Sequence, residues 1–267
     1  IHISDFYYWN QSATGAGIED FELGGLKYSY AFSRKDSYFQ EAYINRHDFN
    51  VGGFQSNPGG ELEFGLSYID KPDSREANSG WAVTAQHKQA DFLGGGNTFA
   101  LQYGKGPGTG LGYTGDVGLD RDNKSYRLVE FFDFQATPRV GGQVQLVYQK
   151  DKRPEGEDQN WLSVGGRASY AFTEQFKLVG ELGRDQVEAS DGTRKLTKFT
   201  IAPTWSPAGP GFWERPEFRL YYTYASWNDA AQRAANVMAE GSALSDTGAF
   251  GNARHGSNFG VQVEHWW

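Results

Sequence analysis

The chain has 267 residues, with 8 Trp, 15 Tyr, 19 Phe, 35 Gly, 9 Pro, no Cys and a formal net charge of −8. Its mean hydropathy is −0.64, and no apolar run approaches the ~20 residues of a membrane helix, so a helical membrane protein is excluded. The glycines have no period, which excludes collagen; the missing thiols exclude disulfides and thiolate metal sites; the acidic balance argues against nucleic acid as main partner.

The chain starts at Ile1-His2-Ile3-Ser4, with no basic n-region and no h-region. This reads as a cut through something longer. Ser4-Asp5-Phe6-Tyr7-Tyr8-Trp9-Asn10 and Gly15-Ala16-Gly17 follow, before any alternation, and read as a loop over 1–17. From residue 18 onward helical periodicity is nearly absent and period-2 alternation takes over. Leu26, Tyr28, Tyr30 and Phe32 interleave with Lys27, Ser29, Ala31 and Ser33. The same pattern recurs at Leu62–Tyr68, Phe99–Tyr103, Val144–Tyr148, Leu162–Tyr170, Phe218–Tyr224 and Phe259–Val263. About thirteen strands result: 18–23, 26–33, 46–56, 61–70, 80–88, 97–104, 125–134, 141–150, 160–172, 176–187, 194–205, 217–227 and 257–267. Tight turns are expected at Gly24-Gly25, 57–60, 136–139 and 173–175. Longer polar connections are expected at 34–45, 71–79, 105–124, 151–159 and 228–256, with 188–193 a shorter member of that set. Short and long alternate, which sends all long loops to one end of the sheet. A short helix is expected near 231–241. No domain boundary or internal repeat shows, so 1–267 reads as one β domain.

Strands of about ten residues with one apolar face, short turns at one end and long loops at the other describe an all-β, transmembrane antiparallel barrel. In hydrocarbon every backbone N–H and C=O must be paired, and a closed sheet is the β solution. A soluble sandwich, its apolar residues facing a core, is the alternative.

Parity singles out two tryptophans. Trp227 is in phase with Arg219, Thr223 and Ala225, and Trp266 with Gln262 and Glu264. An indole on a polar face is either an interfacial girdle residue at a frayed strand end or a stacking surface for a sugar ring. The apolar C–H face of a sugar packs on aromatics while its hydroxyls need donors and acceptors. Arg167, Glu181, Arg219, Glu63 and Glu264 share the polar face and fit that need. Other motifs are weaker. Gly110-Leu111-Gly112-Tyr113-Thr114-Gly115 fits a dinucleotide fingerprint by letters only, with no following helix. Asp120-Arg121-Asp122-Asn123 has calcium-ligand chemistry but reads as a solvated loop, so no cofactor is expected. The five His residues have no metal spacing. Glu61 and Glu63 share a face and leave glycoside hydrolysis open by spacing.

The run His2 to Trp9, Gly15-Ala16-Gly17, the turn Asn57-Pro58-Gly59-Gly60-Glu61-Leu62-Glu63 and the closing Glu264-His265-Trp266-Trp267 resemble the maltoporins. These are trimeric sugar channels of the bacterial outer membrane. The resemblance runs the length of this chain and reaches the C-terminal two-thirds of the family's protein. It implies an eighteen-stranded barrel with five strands before residue 1. By the even-strand rule, thirteen strands are not expected to close alone. It further implies that 1–17 is a loop folded inward to the constriction. His2, Asp5 and Tyr7 match positions there that bond sugar hydroxyls. Trp227 and Trp266 match members of an aromatic slide for the oligosaccharide. Two positions depart from the pattern: Gly96 stands where the family has a slide phenylalanine, and Asn10 where it has an acid. Implied partners are maltooligosaccharides, the lipid bilayer and two further copies in a homotrimer. Long external loops also suit phage attachment. The expected function is facilitated diffusion of maltodextrins, without enzyme chemistry. A general porin, a sucrose or aryl-glucoside porin, an outer-membrane enzyme and a soluble sugar-binding domain are the alternatives.

Overall fold

The computed structural model describes residues 2–8, 11–36, 43–71, 76–111, 115–154, 156 and 158–265. Fourteen strands form one sheet whose order follows the chain. They are β1 (His2–Tyr8), β2 (Gln11–Leu23), β3 (Leu26–Asp36), β4 (Tyr43–Asn57), β5 (Gly60–Asp70), β6 (Gly80–Phe92) and β7 (Gly95–Lys105). Then come β8 (Lys124–Thr137), β9 (Val140–Lys152), β10 (Gln159–Ala171), β11 (Phe176–Ala189), β12 (Gly192–Trp205), β13 (Glu217–Trp227) and β14 (His255–Glu264). The pairings from β1 to β6 and from β10 to β14 are all antiparallel. A meander of this kind needs only hairpin connections. At Gly24 (φ 62°) and Gly25 (φ 80°) two successive positive φ values make the tight turn whose twist matches the flanking strands.

The chain forms two compact units: 1–89 with 98–129 and 149–158, and 90–97 with 130–148 and 159–267. In the first unit Tyr28, Phe49, Phe64, Leu66, Tyr68, Trp81 and Leu101 are exposed on one face. The opposite face carries hydrogen-bonded polar pairs. The Arg46 guanidinium holds Asp48 at 2.8 Å, Lys88 Nζ lies 2.7 Å from Glu63, and Arg127 Nε donates to Gln149 at 2.7 Å. A small apolar cluster of buried Ile44, Ile69, Ala77 and Val117 sits at the loop end of this unit. There the 3-10 turn Gly106–Gly110 lies against the β6 backbone. A Cβ on Gly108 would overlap the Trp81 carbonyl, which accounts for part of the glycine run there.

The second unit repeats the pattern. Leu182, Phe199, Leu220, Tyr222, Phe259 and Val261 are exposed on one face. Arg167, Glu181, Arg219 and Glu264 lie on the other, joined in ion pairs. Large apolar side chains displayed on neighbouring strands this way mark a face that meets an apolar medium rather than single exposed residues. No helix among the described residues is long and apolar enough to cross a membrane, which says nothing of crossing by strands.

Four expectations need correction. Residues 2–8 and 11–17 are not loop: β1 pairs with β2 from His2↔Gly17 to Tyr8↔Gln11, which adds a fourteenth strand. Their sequence lacks clean alternation, so the period-2 template missed a hairpin made by backbone pairing. The connection at 188–193 is a two-residue turn, because pairing continues to Ala189↔Gly192. The connection 206–216 is long although it lies at the end of the tight turns, so long loops do not all share one end. The helix α1 spans Asp229–Met238, starting two residues earlier than read. Asn228 sets that start. Its Oδ1 accepts from Ala231 N and Lys195 N, both at 3.0 Å, and its Nδ2 donates to Thr193 O at 2.7 Å. Asn228→Ala removes the N-cap and a tie to β12. It is expected to cost the 228–254 segment about 1–2 kcal/mol, read as faster amide exchange across α1 with the strands unchanged.

Candidate functional site

The polar face of the second unit carries a groove built by register. Arg167 on β10 stands opposite Glu181 on β11, Glu181 opposite Thr200 on β12, and Thr200 opposite Thr223 on β13. A second row runs Lys177, Thr204, Arg219, Gln262 across β11 to β14. Between the rows lie Val179, Ala202 and Tyr221. Val179 and Ala202, the smaller residues of the middle row, leave a hollow of about 440 Å³, within the range of small-molecule sites. Arg167 Nε and Nη2 donate to Glu181 at 3.0 and 2.9 Å, with both side chains partly exposed. The Thr200 and Thr223 hydroxyls lie 2.7 Å apart. The hollow thus offers fixed donors on Arg, fixed acceptors on Glu, and groups of both kinds on Thr, Tyr and Gln. A polyhydroxylated neutral ligand needs that mixture.

At one end of the groove the charges are buried. Glu217 is 1% exposed and Lys177 2%. Lys177 Nζ lies 2.5 Å from Glu217, and Arg215 reaches Glu217 and Glu264 at 3.3 Å each. Arg219 pairs with Glu217 and, at 2.5 Å, with Glu264. Ions this dry are tolerable only in mutual contact, because each loses its hydration. The register places Glu217 opposite Glu264, so two acids directly across a ladder require the intervening arginines.

Trp227 lies elsewhere than on an open stacking surface. It ends β13, its N–H donates to Arg254 O at 2.9 Å, and its ring packs at 6.0 Å on Phe250. Only 6% of it is exposed, and its buried indole N–H meets no hydrogen-bond partner among the described residues. The 228–254 segment covers it, tied down by Gln232 Nε2 to Gly251 O at 2.8 Å and by contacts of Arg254 with Asp229 and Gln232. Parity along β13 is right, but the connection that follows the strand seals the ring. Trp266 lies outside the described residues, as does Asn10. His2, Asp5 and Tyr7 fall in β1, whose side chains are outside the described part. Gly96, in β7, donates its N–H to Asp133 Oδ1 at 3.3 Å.

A residue that the sequence reading passed over is Trp213. It is 48% exposed, and its Nε1 donates to Asp133 Oδ2 at 3.0 Å. It sits in the connection 206–216, outside any alternating run, so parity had no purchase on it. A Trp two residues before Arg215-Pro216, in a connection longer than the tight turns at the same end, was the available signal.

An antiparallel meander with one exposed apolar face and one face of paired charges is the sheet of a β-barrel channel protein, a porin. The chain matches the family model described as LamB porin over residues 1–267 and belongs to the LamB porin family.

Proposed function

We propose that this chain lines a sugar-selective channel of the bacterial outer membrane, through which maltooligosaccharides diffuse down their gradient. The groove between Arg167, Glu181, Thr200, Thr223, Arg219 and Gln262 carries this reading. It lies on the polar face, opposite an apolar face suited to lipid, and its chemistry suits hydroxyl groups. Sugar exchanges hydrogen bonds along the groove, each weak enough to allow exit. The family resemblance adds the constriction residues His2, Asp5 and Tyr7, an aromatic slide at Trp266, and assembly as a homotrimer. No covalent step is involved.

The test is sugar block of ion current through the native protein in planar bilayers. Maltose, maltotriose, sucrose and an aryl β-glucoside are titrated in turn. Block that tightens from maltose to maltotriose supports the reading. Tighter block by sucrose or the aryl glucoside moves the preference to that sugar, and no block by any of them reduces the protein to a general porin. Arg167→Ala removes a charged donor worth about 1.5 kcal/mol or more to a bound hydroxyl. It is expected to weaken block about tenfold while conductance stays close to wild type.

A further inference from the structure

The connection between β12 and β13 does not hang free at the end of the sheet. Its first residue is tied by Ser206 N to Gln175 O at 2.7 Å. From there it returns over the polar face as far as β8. Phe212 N donates to Gln135 Oε1 at 3.1 Å, and Trp213 Nε1 to Asp133 Oδ2 at 3.0 Å. Phe212 is buried. A Cβ on Gly141 of β9 would lie 2.9 Å from Phe212 Cβ, so the glycine makes room for it. Midway, Lys177 Nζ donates to Gly211 O at 2.7 Å while pairing with Glu217.

Burial on this face follows the segment. Ala171, Lys177, Thr204 and Arg219 are buried. Arg167, Glu181, Thr200 and Thr223, four residues farther along the same strands and in the same phase, are partly open. A buried lysine is costly unless it is paired; this one is paired with Glu217 and spends a further N–H on the Gly211 carbonyl of the segment.

We propose that residues 206–216 form an internal strap that narrows the channel at its tight-turn end, and that Lys177 is the residue positioning it. The inference rests on the channel reading and adds a second restriction to it. Ions and sugar leaving that end pass the strap. Releasing it widens the path at that end, while the Arg167–Glu181 pair keeps its own hydrogen bonds.

The test uses the native protein in planar bilayers. Lys177→Met is expected to raise single-channel conductance on the order of 1.5-fold and to add open-channel current noise. The protein has no cysteine, so the pair Gly141→Cys and Phe212→Cys supplies the only thiols. Their Cβ positions are near disulfide range. Placed in the Lys177→Met background, the oxidised pair is expected to restore wild-type conductance, and reduction to release it again. A merely structural lysine would not give this reversible rescue. Should Lys177→Met fail to fold, Asp133→Ala with Gln135→Ala, which removes the two distal anchors, carries the same expectation. Unchanged conductance in a folded variant, or failure of the cysteine pair to cross-link, overturns the strap. If the unmodified protein conducts no ions, it is the channel reading that falls instead.

Discussion

Glu217→Gln is expected to destabilise the protein by about 3–5 kcal/mol, the loss typical when one partner of a buried ion pair is removed. Glu217 is the anion on which Lys177, Arg215 and Arg219 converge, and it is 1% exposed. A neutral amide there takes the carboxylate from Lys177 and leaves Arg215 and Arg219 to share Glu264. The contrast is Lys88–Glu63, with a similar separation of 2.7 Å but with side chains 51% and 27% exposed. Water screens that pair, so Lys88→Met is expected to cost less than about 1 kcal/mol. Equilibrium unfolding in detergent micelles measures both. A loss at Glu217 as small as that at Lys88 would show that water reaches the network.

The second large effect separates two tryptophans that the sequence treats alike. Trp266→Ala is expected to remove stacking worth about 1.5 kcal/mol and so weaken maltooligosaccharide block roughly tenfold, with ion conductance equal or higher. Trp227→Ala is expected to leave block near wild type, because its ring is sealed beneath 228–254 and presents no face to a sugar. Its effect falls on that segment, which loses the packing of Trp227 on Phe250 and is expected to become open to protease added to the purified protein. Equal loss of block in both variants would mean that the segment lifts away when sugar binds.

These two residues also show how far the sequence carried. Parity assigned both to the polar face, and along β13 that assignment holds, since Arg219, Tyr221 and Thr223 line the groove. Parity speaks only of the direction in which a side chain leaves its strand. It is silent on what lies above the strand, and the 27 residues that follow Trp227 before β14 decided its exposure. The charged pairs were legible in the same measure. Arg167, Glu181, Arg219 and Glu264 were read as sharing a face, but their partners depend on register. Lys177 and Arg215 went unremarked because a lysine at a strand start and an arginine before a proline look solvated in sequence. The hairpin β1–β2 was missed because its pairing is made by the backbone, which carries no period-2 signature of its own.

By itself the sequence determined the all-β class, which residues face apart, most strand boundaries and the resemblance to a sugar channel. The first three follow from local alternation, which needs no knowledge of distant neighbours, and the resemblance rests on motifs near the two ends and in the 57–63 turn. The tertiary structure alone decided where the connections go: 228–254 over Trp227, and 206–216 back across the polar face to Asp133 and Gln135. Contacts between residues about eighty positions apart depend on how many strands lie between them and at what stagger. No periodicity in the chain records that.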